Sequence, residues 1–139
     1  MKAVYYAPNM LRLCMDHKNG KKISGRVYGT FLKEPVAFED FAEMILRVDE
    51  AFDLQGFPQS FQDKRSFRKT AGENHHNPNP PVLTDSACFE AEEGTAGTYV
   101  VLVATRQNAT WQGSVLFPDG SPMAEFASEM ELFGILTRM

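Results

Sequence analysis

The chain has only two cysteines, Cys14 and Cys88, among its 139 residues. That excludes a disulfide framework, and neither cysteine sits at a metal-type spacing. No apolar run approaches the roughly 20 residues of a membrane span. Behind Met1 and Lys2 there is no apolar stretch of the about 7–15 residues that a cleaved signal peptide carries. A soluble, cytoplasmic protein is the expectation. Positive charge is in deficit too: 14 Lys+Arg against 18 Asp+Glu gives −4, which argues against a general electrostatic grip on nucleic acid. A Walker loop, a dinucleotide-binding glycine fingerprint and a Gly-x-Ser-x-Gly elbow are all missing.

What is present is globular. Apolar residues make up 43% and charged residues 23%, and a chain of this length can bury a core of its own. We therefore read 1–139 as a single domain.

Shifting the sequence by 88 residues brings two stretches into register. Gly25 falls on Gly113, Val27 on Val115, Phe38 on Phe126 and Glu43 on Glu131. Asp40-x-x-Glu43 and Ser128-x-x-Glu131 both form capping boxes, in which the short side chain accepts from an orphan N–H and the glutamate reaches back. Helices are expected to start there. The first carries its apolar stripe on Phe41, Met44, Ile45, Val48 and Phe52 and ends near Leu54, before Gly56. The second carries Leu132, Phe133 and Leu136, with Gly134 as a weak point. A hairpin precedes each helix. Met10 to Asp16 and Lys22 to Phe31 flank Asn19-Gly20, a strong turn signal, and Tyr99 to Thr105 and Thr110 to Phe117 flank a weaker one. Gly25 and Gly113 fall at matching places in the second strands, which implies either close packing of a helix or a bulge. The expected fold is α+β: two ββα units related by an internal repeat (10–54 and 98–139), forming one antiparallel sheet with two helices on one face.

Between the units, 55–97 shows no sustained periodicity. Connections of this length are uncommon in compact domains. This one holds a basic run (Lys64, Arg65, Arg68, Lys69), a proline-rich middle with His75 and His76, and an acidic block with Asp85, Glu90, Glu92 and Glu93. It also holds Phe57, Phe61, Phe67, Val82, Leu83 and Phe89, so much of it should dock on the domain. A surface for that docking follows from the strands. Tyr99, Val101 and Val103 alternate with Val100, Leu102 and Ala104, so both faces of that strand are apolar. Leu11, Leu13 and Met15 alternate with Met10 and Cys14 in the first strand. Two helices cover one face only. The second is covered either by the connection's own phenylalanines or by a partner, which makes Met10, Cys14, Val100, Leu102 and Ala104 candidate interface residues.

The chemistry-bearing residues are sparse. His75 and His76 are adjacent, and neighbouring side chains in extended backbone point apart, which disfavours a shared metal. Cys14 near His17 lies in an apolar strand, where a buried thiol is the ordinary outcome. The basic run with Phe67 could grip phosphates. Trp111, the only tryptophan, could stack a ligand that Arg106 and Gln112 hold by polar groups. Its repeat partner is Ile23, which favours a packing role. No cofactor and no metal are implied.

The segment Arg106-Gln107-Asn108-Ala109-Thr110-Trp111-Gln112-Gly113, with Phe126 and Glu131-Leu132 after it, resembles a family of small Firmicutes proteins. Those carry an Arg-Gln-Asn-x-Ser/Thr-Trp-Gln-Gly hairpin and a Glu-Leu helix. Phe57-Pro58-Gln59 and Arg65-Ser66-Phe67 add to the likeness. The resemblance implies a bacterial cytosolic setting and no catalytic role. The sequence reading is a non-enzymatic protein–protein interaction module that associates with a second copy of itself or with another protein. The alternative is a small-ligand or nucleotide-binding regulator using Trp111, Arg106 and the basic run 64–69.

Overall fold

The computed structural model describes residues 5–58, 60–61, 80–107 and 110–138. Strand β1 (Met10–Asn19) turns through Gly20 and Lys21 into β2 (Lys22–Tyr28). Gly20 has φ 65, the left-handed conformation that a side chain disfavours and this tight turn requires. A short β3 (Val36–Phe38) follows, then helix α1 (Phe41–Gln55). After the two-residue β4 (Ser60–Phe61) come β5 (Gly97–Gln107), β6 (Gln112–Leu116), β7 (Pro122–Phe126) and helix α2 (Glu129–Arg138). The sheet order is β3-β2-β1-β5-β6-β7, antiparallel at every step, and β4 adds a parallel pair at the far end of β5. The α+β class is as the pattern predicts. Among the described residues no helix is long and apolar enough to cross a membrane.

Each hairpin carries a third strand that the ββα reading lacks. β3 lies along β2 with Phe38 opposite Gly25, and β7 lies along β6 with Phe126 opposite Gly113. At three and five residues, alternation cannot announce them. They form because the outer edges of β2 and β6 present backbone groups that need partners.

The two glycines answer to the bulge, not to a helix. A Cβ on Gly25 would stand 2.0 Å from the Cys14 carbonyl oxygen, and one on Gly113 would stand 1.8 Å from that of Leu102. In both places the neighbouring strand shifts register, between Met15 and His17 in β1 and between Val103 and Thr105 in β5. An extra residue there swings a carbonyl into the space a side chain would fill.

Both helices begin as the capping boxes require. The Glu43 N–H donates to Asp40 Oδ1 at 2.8 Å, and Glu43 Oε1 accepts from the Glu39 N–H at 2.9 Å. At α2 the Glu131 N–H donates to Ser128 Oγ at 3.1 Å, and Glu131 Oε1 accepts from Ala127 at 2.8 Å. Helix α1 stops at Gly56, whose φ of 75 lets its N–H reach back to Phe52 and Asp53. Met44, Val48 and Phe52 from α1 and Leu132, Ile135 and Leu136 from α2 enter one buried cluster with Leu11, Leu13, Val101 and Val103. Both helices therefore lie on the same face of the sheet.

Candidate functional site

On the helix-bearing face, Arg106 and Trp111 do come together, but around a carboxylate rather than an opening. Trp111 is fully buried, and Arg106 is 2% exposed. Its Nε donates to the Pro58 carbonyl at 2.7 Å, and its Nη1 donates to Asp49 Oδ1 at 2.8 Å and to Asp53 Oδ1 at 2.9 Å. Asp49 Oδ1 also accepts the indole Nε1–H at 3.0 Å. The guanidinium stands 5.5 Å over the Phe52 ring. A buried cation needs such a complete shell, because an unpaired one would forfeit its hydration. Gln112 is consumed nearby: its Oε1 accepts from Thr105 Oγ1 at 2.7 Å and from the Gln107 N–H at 2.8 Å, tying the β5–β6 turn. Arg106 and Trp111 thus hold the hairpin onto α1, and no face of the indole is open for stacking. Of the rest of that candidate set, Lys64, Arg65, Arg68 and Lys69 lie outside the described residues, as do Phe67, His75 and His76.

Asp49 was not legible as part of this site. It sits 62 residues from Trp111 in the chain, and its only local sign is a carboxylate beside an apolar stripe with a second one, Asp53, a turn later.

Glu129 opens α2 beside this network. Burial and the nearby Asp49 carboxylate push its pKa up, against the pull of a hydrogen bond from the Trp111 backbone N–H. The native state therefore holds this proton more tightly than the unfolded chain does. That contribution is whole below the unfolded pKa and is lost as pH rises through the raised folded value. Glu129→Gln keeps an acceptor and drops the charge. It should be more stable than the parent at pH 7, by less than about 1 kcal/mol for a group that solvent still partly screens. The advantage should vanish toward pH 4 in urea titrations compared across pH.

Among the described residues the second face is closed over one half only. Phe89 is its plug, meeting Tyr6 edge-on at 5.1 Å and stacking on Tyr28 at 5.8 Å. Together with Met10 and Val100 these make a separate buried cluster. The segment carrying Phe89 is tied at both ends. Thr84 Oγ1 donates to the Leu32 carbonyl at 2.7 Å, and the Ala96 N–H donates to that of Met15 at 2.8 Å. Its acidic block has a specific partner: buried Arg12 donates through Nε to the Glu92 carbonyl at 2.8 Å and through Nη1 to Tyr6 Oη at 3.1 Å. Arg26 grips both Asp16 oxygens at 2.9 and 3.0 Å and reaches Glu92 Oε1 at 3.1 Å. That pairing lowers the Asp16 pKa and raises that of Arg26. Burial raises the pKa of the Tyr6 and Tyr28 phenols and of the Cys14 thiol.

Of the candidate interface residues, then, Met10, Cys14 and Val100 are sealed by the chain itself. Leu102 is half-buried and Ala104, the extra residue of the β5 bulge, is exposed. Ser114, opposite Leu102, and Leu116, opposite Val100, are also half-buried. Of the connection's described apolar residues Phe89 is inside, while Val82 and Leu83 stay exposed; the Phe61 side chain, like Phe67, lies outside what is described. Comparison with protein-family models, with curated proteins and with solved structures finds no match.

Proposed function

We propose that this chain is a non-enzymatic protein-interaction module, made of two fused copies of one hairpin-plus-helix unit, that associates with a second copy of itself. The setting is the bacterial cytosol that its resemblance to the Firmicutes family implies. The duplication is supported by the shared 88-residue offset of the bulges, the facing glycines, Phe38 and Phe126, and the two capping boxes.

The observation that carries self-association is the half of the second sheet face that no described residue closes. Leu102, Ser114, Leu116 and Ala104 form an area beside the Phe89 plug whose centre carries no charge, with Glu125 standing opposite Ser114 on the edge strand. Across a two-fold axis each residue near the centre meets its own kind, so an uncharged centre with its one acid out on the edge strand suits a second copy. The area is small, and the dimer should be weak.

Sedimentation of the whole chain at about 100 μM, where weak interfaces of this kind populate, should show a dimer that disappears in Ala104→Arg and Ser114→Arg. A chain that stays monomeric at that concentration removes the proposal, and so does a dimer that ignores both substitutions.

A further inference from the structure

The outer surface of the helix layer, on the opposite side of the sheet, carries a second apolar area that no described residue covers. The rings of Phe41 and Phe133 lie 4.8 Å apart, which brings the start of α1 against the middle of α2. The Glu129 N–H, at the start of α2, donates to Thr110 Oγ1 at 3.4 Å, and the indole of the next residue, Trp111, donates to Asp49 in the middle of α1. The two helices therefore run antiparallel along a seam floored by Phe41, Ile45 and Phe133, all half-buried. One position outward on each helix stand Leu46, 68% exposed, and Met130, 79% exposed. Beside them a Cβ on Gly134 would meet no atom within 4 Å. The seam is thus an apolar trough with flexible apolar rims and a gap at Gly134. Methionine is the adaptable side chain that promiscuous binding surfaces over-use, and an apolar groove is what holds the apolar face of an amphipathic helix.

Charge narrows the occupant. The two helices hold six carboxylates against two guanidiniums, an excess equal to that of the entire chain. Arg47 pairs with Glu43, and Arg106 pairs from beneath with Asp49 and Asp53. Glu50, Glu129 and Glu131 remain on this layer, with Asp53 mostly exposed at the far end of α1. A second copy would bring acid against acid here. We propose that the α1–α2 seam binds a cationic amphipathic helix of another protein, apolar side chains between Leu46 and Met130 and lysines or arginines over the flanking carboxylates.

The test uses the full chain and a labelled synthetic helix of about 18 residues with leucines at i, i+3, i+4 and i+7 and lysines elsewhere. Fluorescence anisotropy should report micromolar binding that weakens with salt. Leu46→Lys and Met130→Lys, both at exposed positions, should each weaken it at least about tenfold while leaving the circular dichroism unchanged. Ala104→Arg on the far side of the sheet should not alter it, which separates this seam from the self-association surface. Three results would overturn the proposal. One is equal binding of a scrambled peptide of the same composition. Another is equal binding of the version with glutamates in place of lysines. The third is a dimer of this chain that Leu46→Lys dissolves.

Discussion

Asp49→Ala is expected to destabilise the protein by about 3 kcal/mol, the cost of removing one partner from a buried, hydrogen-bonded charge. One oxygen of Asp49 serves both the Arg106 guanidinium and the Trp111 indole. Its loss orphans the indole N–H outright. It leaves Arg106 on Asp53, which is the more exposed of the two carboxylates. Arg106→Met should be milder, about 1–2 kcal/mol, because both aspartates can turn to water while methionine keeps part of the packing on Phe52. Urea unfolding followed by the single tryptophan measures both. The order matters more than the size. If Arg106→Met proves as costly as Asp49→Ala, the carboxylate is not the centre of the network, and the cation's own packing is.

Gly113→Ala is the second large effect. The methyl carbon would sit 1.8 Å from the Leu102 carbonyl oxygen, which belongs to the paired strand and not to a movable side chain. Relief requires pulling β6 from β5 at its bulge. We expect a loss above about 3 kcal/mol, in the range reserved for backbone and overpacking conflicts, and the same for Gly25→Ala. Gly134→Ala provides the contrast. It has open space in a helix interior, so alanine should add up to about 1 kcal/mol by lowering backbone entropy in the unfolded chain. Chemical denaturation of the three variants, with circular dichroism for any that fail to fold, gives the comparison. A Gly113→Ala protein within about 1 kcal/mol of the parent would mean that β6 can move off the Leu102 carbonyl at little cost.

The two helices and both hairpins could be read directly from the chain. Capping boxes, the apolar stripe of α1, Gly56 and the turn at Gly20 are local devices, each completed by residues within a few positions. Trp111 as a packing residue was legible from its partner Ile23, and both are fully buried. The edge strands β3 and β7 were not, because short strands form by what lies beside them. The bulge origin of the glycines is not legible locally, because the carbonyl that fills each space belongs to the facing strand.

Local pattern alone determined where this chain bends into strands and helices, because turn dihedrals, caps and side-chain period act over a few residues. Only the tertiary structure decided which polar groups are spent on holding the fold. Asp49 reaches Trp111 and Arg12 reaches Glu92 across 62 and 80 residues of chain. It also decided which apolar face is closed, because Phe89 gives no sign in its own neighbourhood of the two tyrosines it will meet. A contact between distant residues is chosen by the energy of the assembled core, and that energy is written in no single stretch of sequence.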